Sequence, residues 1–383
     1  MKEAFDNFNH VICPGVETVL KDINTQQSRS NGNKKLHLCT GQSLPVVDVI
    51  LFDMFLTGAV MRNKIPGILY YYFNSPPAIL LRWFLMLNDK TPVVALEDHD
   101  YFHRIPDEVG QPVVGQMAGI LELFLPIGQF LPDVDGIVCN SFRAIDQEDL
   151  DLFLQDPRMK DSKAAIYCLG PFIPEVKCTG QTEVEKWLGD KDKRSVIYVS
   201  FGSATVPQPE QINEIGKALL MVDQPCIWSL KAGHEQHVPP ELISNEAKAK
   251  FLIVPWAPQK EILASPATSV MLSHCGWNGT LESLSCGVPL VCFPMFADQL
   301  DIGKMLARKG LGQFIPGTGL KPERVVPAEE ITAALKQVGE FRHGDQGKFH
   351  QAAARMENEI KLALSDQGTS TKEFHRFIQF KEA

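Results

Sequence analysis

Between Phe251 and Gln299 the chain alternates short apolar runs with polar turns, at a spacing that admits essentially one kind of fold. Phe251–Val254, Val270–Leu272 and Leu290–Phe293 each read as a short buried strand. Thr280–Ser285, between the second and third, has room for only a short helix. Gly287 supplies its stop, and Pro289 cannot continue it. Strand, turn, helix and strand together are the building block of a parallel sheet, so the stretch predicts a Rossmann-like α/β domain. Chemistry is expected in the turn before the helix. Gly276 has no Cβ and lets the backbone come close to a ligand. Free N–H groups at the helix start, near Asn278 to Thr280, favour an anion. His274 stands just before the helix, and Glu282 lies four residues beyond Asn278 on the same face. A pyrophosphate at the amides, with ribose hydroxyls at the carboxylate, suits a nucleotide. The indole of Trp256 offers a flat face on which a base can stack.

The same residues carry a resemblance. The run from Trp256-Ala257-Pro258-Gln259, through Ser273-His274-Cys275-Gly276-Trp277-Asn278-Gly279-Thr280-Leu281-Glu282, to Pro294-Met295-Phe296-Ala297-Asp298-Gln299 resembles, without gaps, the 44-residue signature box of plant and fungal UDP-dependent glycosyltransferases. The resemblance implies that Trp256 stacks on uracil and that Gln259 and Glu282 bind ribose. It implies that His274, Trp277 and Asn278, with Gly276 and Ala257 beside them, hold the donor, and that Asp298 and Gln299 bind sugar hydroxyls. A closing Gln goes with glucose by tendency. The family usually has Ser where this chain has Gly279, so a phosphate-contacting hydroxyl is lost while the backbone N–H remains. The rival reading, a generic Rossmann-like unit with coincidental polar turns, has to explain all these matches at fixed spacing.

The length of 383 residues exceeds one ordinary core, so two domains are expected. The formal net charge of −9 disfavours nucleic acid or an anionic membrane as the main partner, but not an anionic ligand held by local donors. Nine cysteines occur singly, with no Cys-x-x-Cys pair, which fits reduced thiols in a cytoplasmic protein better than disulfides or a zinc site. Cys275 lies in the phosphate turn, where a lowered pKa is conceivable, and packing is its favoured role. No apolar run approaches the ~18–20 residues that span a bilayer. The start does not read as a signal peptide, and the end lacks the anchor of the family's animal branch.

Along the chain, Val46 to Phe52 reads as a buried strand ending at Asp53, followed by a helix over 54–64 and a strand over 68–73. The resemblance gives Asp53, in Asp53-Met54-Phe55, the role of orienting a catalytic His; the bland reading is a helix cap. Ala78 to Leu87 predicts an apolar helix, residues 89–115 a loop, and Ile137–Phe142 and Ile166–Pro171 further strands. The expected architecture is two Rossmann-like domains facing a cleft, the GT-B type, the first incomplete at its N-terminus. Residues 1–171 form the acceptor-side domain, 172–182 the linker and 183–365 the UDP-sugar domain, while 366–383 return to the first domain as a helix. Ser195–Phe201 is a strand of the second domain, ending in Gly202-Ser203, which the resemblance places near the donor phosphates. Ser370-Thr371-Lys372-Glu373 reads as a capping box opening a last helix with Phe374, Phe377 and Ile378 on one stripe.

The family's Gly-His-x-x-Pro turn, which carries the general base, has no counterpart here. His10 has Pro14 at the wrong spacing and no strand before it; His37, His99 and His103 lack positional support. About one βαβ unit is expected to be absent, leaving Val46–Phe52 as an apolar sheet edge. By resemblance the reaction is an inverting transfer of a hexose, with glucose favoured, from a UDP-sugar to a hydroxyl of a small hydrophobic acceptor, with neither metal nor cofactor. The triplets Asp98-His99-Asp100, Asp133-Val134-Asp135 and Asp190-Lys191-Asp192 read as solvated charge rather than metal ligands. Two rivals stay open: a UDP-sugar binder that has lost its base, and a regulatory partner of a full-length relative.

Overall fold

A computed structural model describes residues 20–21, 36–37, 43–44, 48–86, 118–173, 182–296, 298–319, 324–341 and 347–379. The chain divides into two compact units, Met1–Gly170 with Gly368–Ala383, and Pro171–Gln367.

The first unit is built on a four-stranded sheet. Its strands are β1 (Val49–Asp53), β2 (Leu69–Asn74), β3 (Gly136–Cys139) and β4 (Ala165–Cys168), all parallel and paired in chain order. The connections are α1 (Thr57–Arg62), α2 (Ile79–Met86), α3 (Ala118–Phe130) and α4 (Arg143–Leu154). Parallel strands need such crossovers, which cover the sheet and make it apolar. Phe52, Tyr72, Phe84, Leu81 and Phe153 form the core, and each fully buried side chain contributes about 2 kcal/mol. The loop expected over 89–115 lies outside the described residues. Among the described residues β1 pairs only with β2, and Leu51 on it is 51% exposed, as expected for a sheet edge. The helix expected over 54–64 is confined to Thr57–Arg62, because the Asp53 carboxylate ties up the turn ahead of it.

The chain's last helix, α12 (Thr369–Ile378, numbered in advance of those between), belongs to this unit. Two expectations about it fail. Its N-cap is Gly368, so Ser370 lies inside the first turn and donates its hydroxyl to the Gly170 carbonyl at 2.8 Å. Glu373 does not turn back to a cap either. It takes Arg143 Nε at 2.7 Å and the Cys168 N–H at 2.5 Å. Tertiary partners have outcompeted the local box. Of the anticipated apolar stripe, only Phe377 packs, edge-on to Tyr71 and Tyr167; Phe374 and Ile378 are about half exposed. A capping box does occur at Thr182 and Glu185, opening α5 (Glu183–Gly189).

The second unit holds six parallel strands: β5 (Val196–Ser200), β6 (Cys226–Ser229), β7 (Phe251–Val254), β8 (Thr268–Ser273), β9 (Leu290–Cys292) and β10 (Gly312–Phe314). Apart from the one-turn helix Pro240–Ile243, the helices between them are α6 (Pro209–Val222), α7 (Gln259–Ala264), α8 (Trp277–Ser285) and α9 (Gln299–Arg308). Two more, α10 (Ala328–Gly339) and α11 (Lys348–Leu364), follow. The order β10-β9-β8-β5-β6-β7 is the doubly wound order read from one edge. β5 and β8 are buried at every residue, and their apolar middles are the runs legible in the sequence, with Ser200, Thr268, Ser269 and Ser273 as buried polar ends. Both units have the Rossmann-like parallel architecture expected from the sequence.

Candidate functional site

The order of the second sheet reverses between β5 and β8. At such a switch point the crevice beyond the carboxyl ends of the strands is where open α/β sheets take ligands. Two turns leave from it: Ser200–Ser203 after β5, with Ser203 exposed, and Ser273–Gly276 after β8.

One imidazole sits between these turns. A Cβ on Gly202 would lie 2.6 Å from His274 Nε2, and a Cβ on Gly276 would lie at the same distance. Gly202 also needs its φ of +70°. Gly276 has an ordinary φ of −60°, and the protein neighbour that its missing side chain makes room for is His274. The His274 N–H donates to the Ser200 carbonyl at 3.4 Å and links the turns. Burial lowers the imidazole pKa to about 4, so the ring is neutral at pH 7 and offers a hydrogen bond, not a charge. Its Nδ1 is enclosed without a hydrogen-bond partner among the described residues. Such a group costs about 1–3 kcal/mol unless something bonds it.

Cys275, between His274 and Gly276, has φ +66°, uncommon for any residue but glycine. Its N–H donates to Ser273 Oγ at 3.0 Å. Burial, and then the neighbouring Cys292, push its thiol well above the ordinary range. The lowered pKa considered for it is overturned; Cys275 is a packed, protonated thiol.

α8 begins three residues earlier than expected. Gly276 is its N-cap, and the Thr280 N–H already bonds the Gly276 carbonyl at 2.9 Å. The amide end of the helix is therefore Trp277 to Gly279, and Thr280 drops out of it. One turn deeper, Glu282 Oε2 accepts from Gln259 Nε2 at 2.7 Å, so these two expected ribose ligands are in contact. A Cβ on Gly279 would come within 3.3 Å of the same nitrogen. Gln259 Oε1 in turn accepts from the Tyr198 hydroxyl at 3.1 Å. Sequence reasoning missed Tyr198. The available signal was period two, which puts Tyr198 and Ser200 on one face of a buried strand where a phenol must find a partner.

Trp256 stands between β7 and α7, 69% exposed, with its indole open. Ala257 beside it is buried, leaving its backbone for any contact. Gln299 is the first residue of α9 and Asp298 its N-cap, three residues ahead of the helix start expected at Ile302. Gln299 Oε1 accepts from the Met295 and Phe296 N–H groups at 2.9 and 3.0 Å, which leaves Nε2 as its outward donor. Asp298 is close enough to Cys275 to raise its thiol further, so that carboxylate borders the same turn.

Asp53 lies in the first unit. Its Oδ1 accepts from the Phe55 and Leu56 N–H groups at 3.0 and 3.3 Å, a capping role in the turn after β1. Among the described residues no histidine bonds to it. His10, His99 and His103 fall outside those residues, and His37 is described only in its backbone. Of the acidic triplets, Asp98-His99-Asp100 is also outside, whereas Asp135 accepts from the Tyr70 N–H at 2.7 Å. Among the described residues no three His, Cys, Asp or Glu are grouped to hold a metal ion, and no helix is long and apolar enough to cross a membrane.

Residues 171–338 match the family described as UDP-glucoronosyl and UDP-glucosyl transferase. UDP-glycosyltransferase 84A1 of Arabidopsis thaliana is 31% identical over 70% of this chain and 54% of its own length. UDP-glycosyltransferase 72B1 of the same plant is 32% identical over 87% of this chain and 73% of its own length. The chain thus spans about half the length of the first of these relatives. The crystal structure of UGT71G1 of Medicago truncatula, complexed with UDP-glucose, superposes with a TM-score of 0.74 at 23% identity, over 95% of this chain and 79% of that one. The superposition supports the GT-B fold, and the match to 72B1 supports the lineage: the chain belongs to the UDP-glycosyltransferase family.

Proposed function

We propose that the second unit binds a UDP-sugar and that the chain serves transfer of its hexose to a hydroxyl of a small hydrophobic acceptor. The observation that carries the donor reading is the joined constellation at the switch point. His274 has an enclosed Nδ1 with no hydrogen-bond partner among the described residues and stands with its Nε2 against Gly276, the N-cap of α8, and a hydrogen-bonded Gln259–Glu282 pair lies one turn deeper. In this reading uracil stacks on Trp256, the diphosphate takes the α8 amides and His274, and ribose hydroxyls take Glu282. The sugar hydroxyls take Asp298 and the Nε2 of Gln299. Glucose is favoured by the closing Gln and by the UDP-glucose complex of the Medicago relative.

The chemistry follows from charge. An acceptor oxygen displaces UDP at the anomeric carbon from the opposite side, inverting it, while a base takes the acceptor proton. The departing diphosphate gathers negative charge, which the helix amides, rather than a metal ion, meet with little reorganisation. His274 contributes as a neutral donor. The expected compartment is the cytoplasm. Calorimetric titration with UDP and UDP-glucose tests the donor site, and release of UDP in the presence of a phenolic acceptor tests transfer. Absence of nucleotide binding refutes the whole reading.

A second reading has its own support. Asp53 Oδ1 accepts from the Phe55 and Leu56 N–H groups, the capping role rather than a catalytic one, as in a UDP-sugar binder without turnover. Tight UDP-glucose binding with no UDP release across phenolic acceptors would select it.

A further inference from the structure

We propose that Tyr198 is a positioning residue for the donor ribose, acting through Gln259 to hold Glu282 ready for the sugar hydroxyls; this rests on the donor-site reading above. Tyr198 is 1% exposed, too buried to touch a nucleotide itself. Its hydroxyl donates to Gln259 Oε1 at 3.1 Å, and Gln259 Nε2 donates to Glu282 Oε2 at 2.7 Å. An amide has one accepting and one donating end. With the phenol on the oxygen, the NH₂ end is committed to the carboxylate, and the flipped amide would put its oxygen against a negative charge. Burial, the largest influence, raises the phenol pKa, so the hydroxyl stays protonated and donating at physiological pH.

The relay also reaches the phosphate side. Ser200 lies two residues on, on the same face of β5 as Tyr198. The Ser200 carbonyl accepts the His274 N–H. The ribose carboxylate and the diphosphate imidazole are thus both referenced to one strand. Gly279 fits the same arrangement, since any side chain there would start 3.3 Å from the Gln259 nitrogen. Glu282 keeps its second oxygen for the ligand, at a position the relay sets.

The test is calorimetric binding of UDP and of 2′,3′-dideoxy-UDP, which lacks the hydroxyls that Glu282 would hold. Tyr198→Phe is expected to weaken UDP about tenfold and to leave the dideoxy analogue within about twofold, so the preference for ribose collapses. Because Tyr198 acts through Gln259, Gln259→Ala and the double variant should bind UDP equally. A Tyr198→Phe protein with the wild-type ratio of the two affinities overturns the proposal, and so do additive losses in the double variant. If Tyr198→Phe fails to fold, Gln259→Met must lose the same preference, and its retention overturns the proposal. Wild-type protein that binds no UDP refutes the donor site, and this role with it. Wild-type binding with an unmoved ratio in the variants refutes only the role of Tyr198.

Discussion

Replacing Gly276 by Ala tests the site at its tightest point. The added methyl would stand 2.6 Å from His274 Nε2 and 3.2 Å from Cε1. On its other side the ring faces the backbone of Gly202, whose Cβ direction points at the same nitrogen, so the imidazole is packed between two backbone turns. Position 276 has φ −60°, so alanine brings no backbone strain and the whole effect is steric. Overpacking of this kind costs about 1–3 kcal/mol, and a histidine moved off its anion forfeits a charge-assisted hydrogen bond of similar size. UDP affinity should therefore fall about 10- to 100-fold, with a lower melting temperature. Calorimetry and thermal melts read both. The His274→Ala background supplies the control: with the ring gone, Gly276→Ala should cost less than about 0.5 kcal/mol in stability. Wild-type affinity in the single variant, or an undiminished cost in the double, would refute the argument that the imidazole dictates both glycines.

Trp256→Ala should leave the melting temperature unchanged, since the indole is 69% exposed, yet weaken UDP about tenfold through lost stacking, measured by titration. Glu373→Ala should destabilise the first unit by about 2–4 kcal/mol in urea, because it leaves the Cys168 N–H without its acceptor and Arg143 with the Ile166 carbonyl but no carboxylate. For pH, the folded His274 pKa is lowered to about 4, below its unfolded value, so the unfolded chain binds more protons in between. Stability should accordingly fall as pH drops from about 6.5 to 4, by about 3 kcal/mol in all, and a His274→Asn variant should lack that slope in urea titrations.

Apolar run length and glycine or proline stops were enough to place β5 to β9 and the signature turn, whereas β10, Gly312–Phe314, is too short and too polar to read as an apolar run. Helix starts were harder to read. α8 and α9 each begin three residues early, at Trp277 and Gln299, since Gly276 and Asp298 provide caps without a side-chain hydrogen bond that would mark them. Ser370 and Glu373 misled for a different reason. They have the spacing of a local cap, but Gly170, Arg143 and Cys168 claim them from 200 to 230 positions away. Tyr198 stayed hidden because nothing in a five-residue strand announces a partner 61 positions downstream.

The return of α12 to the first unit has a bearing on synthesis. Arg376 lies over the Tyr167 ring and Phe377 wedges against Tyr71 and Tyr167, so the final helix covers part of one face of that sheet. On the ribosome, a nascent chain must hold those two tyrosines uncovered while all of Pro171–Gln367 is being made. The first unit is thus started early and finished last, and a chaperone binding aromatic surface would find its opening in that interval.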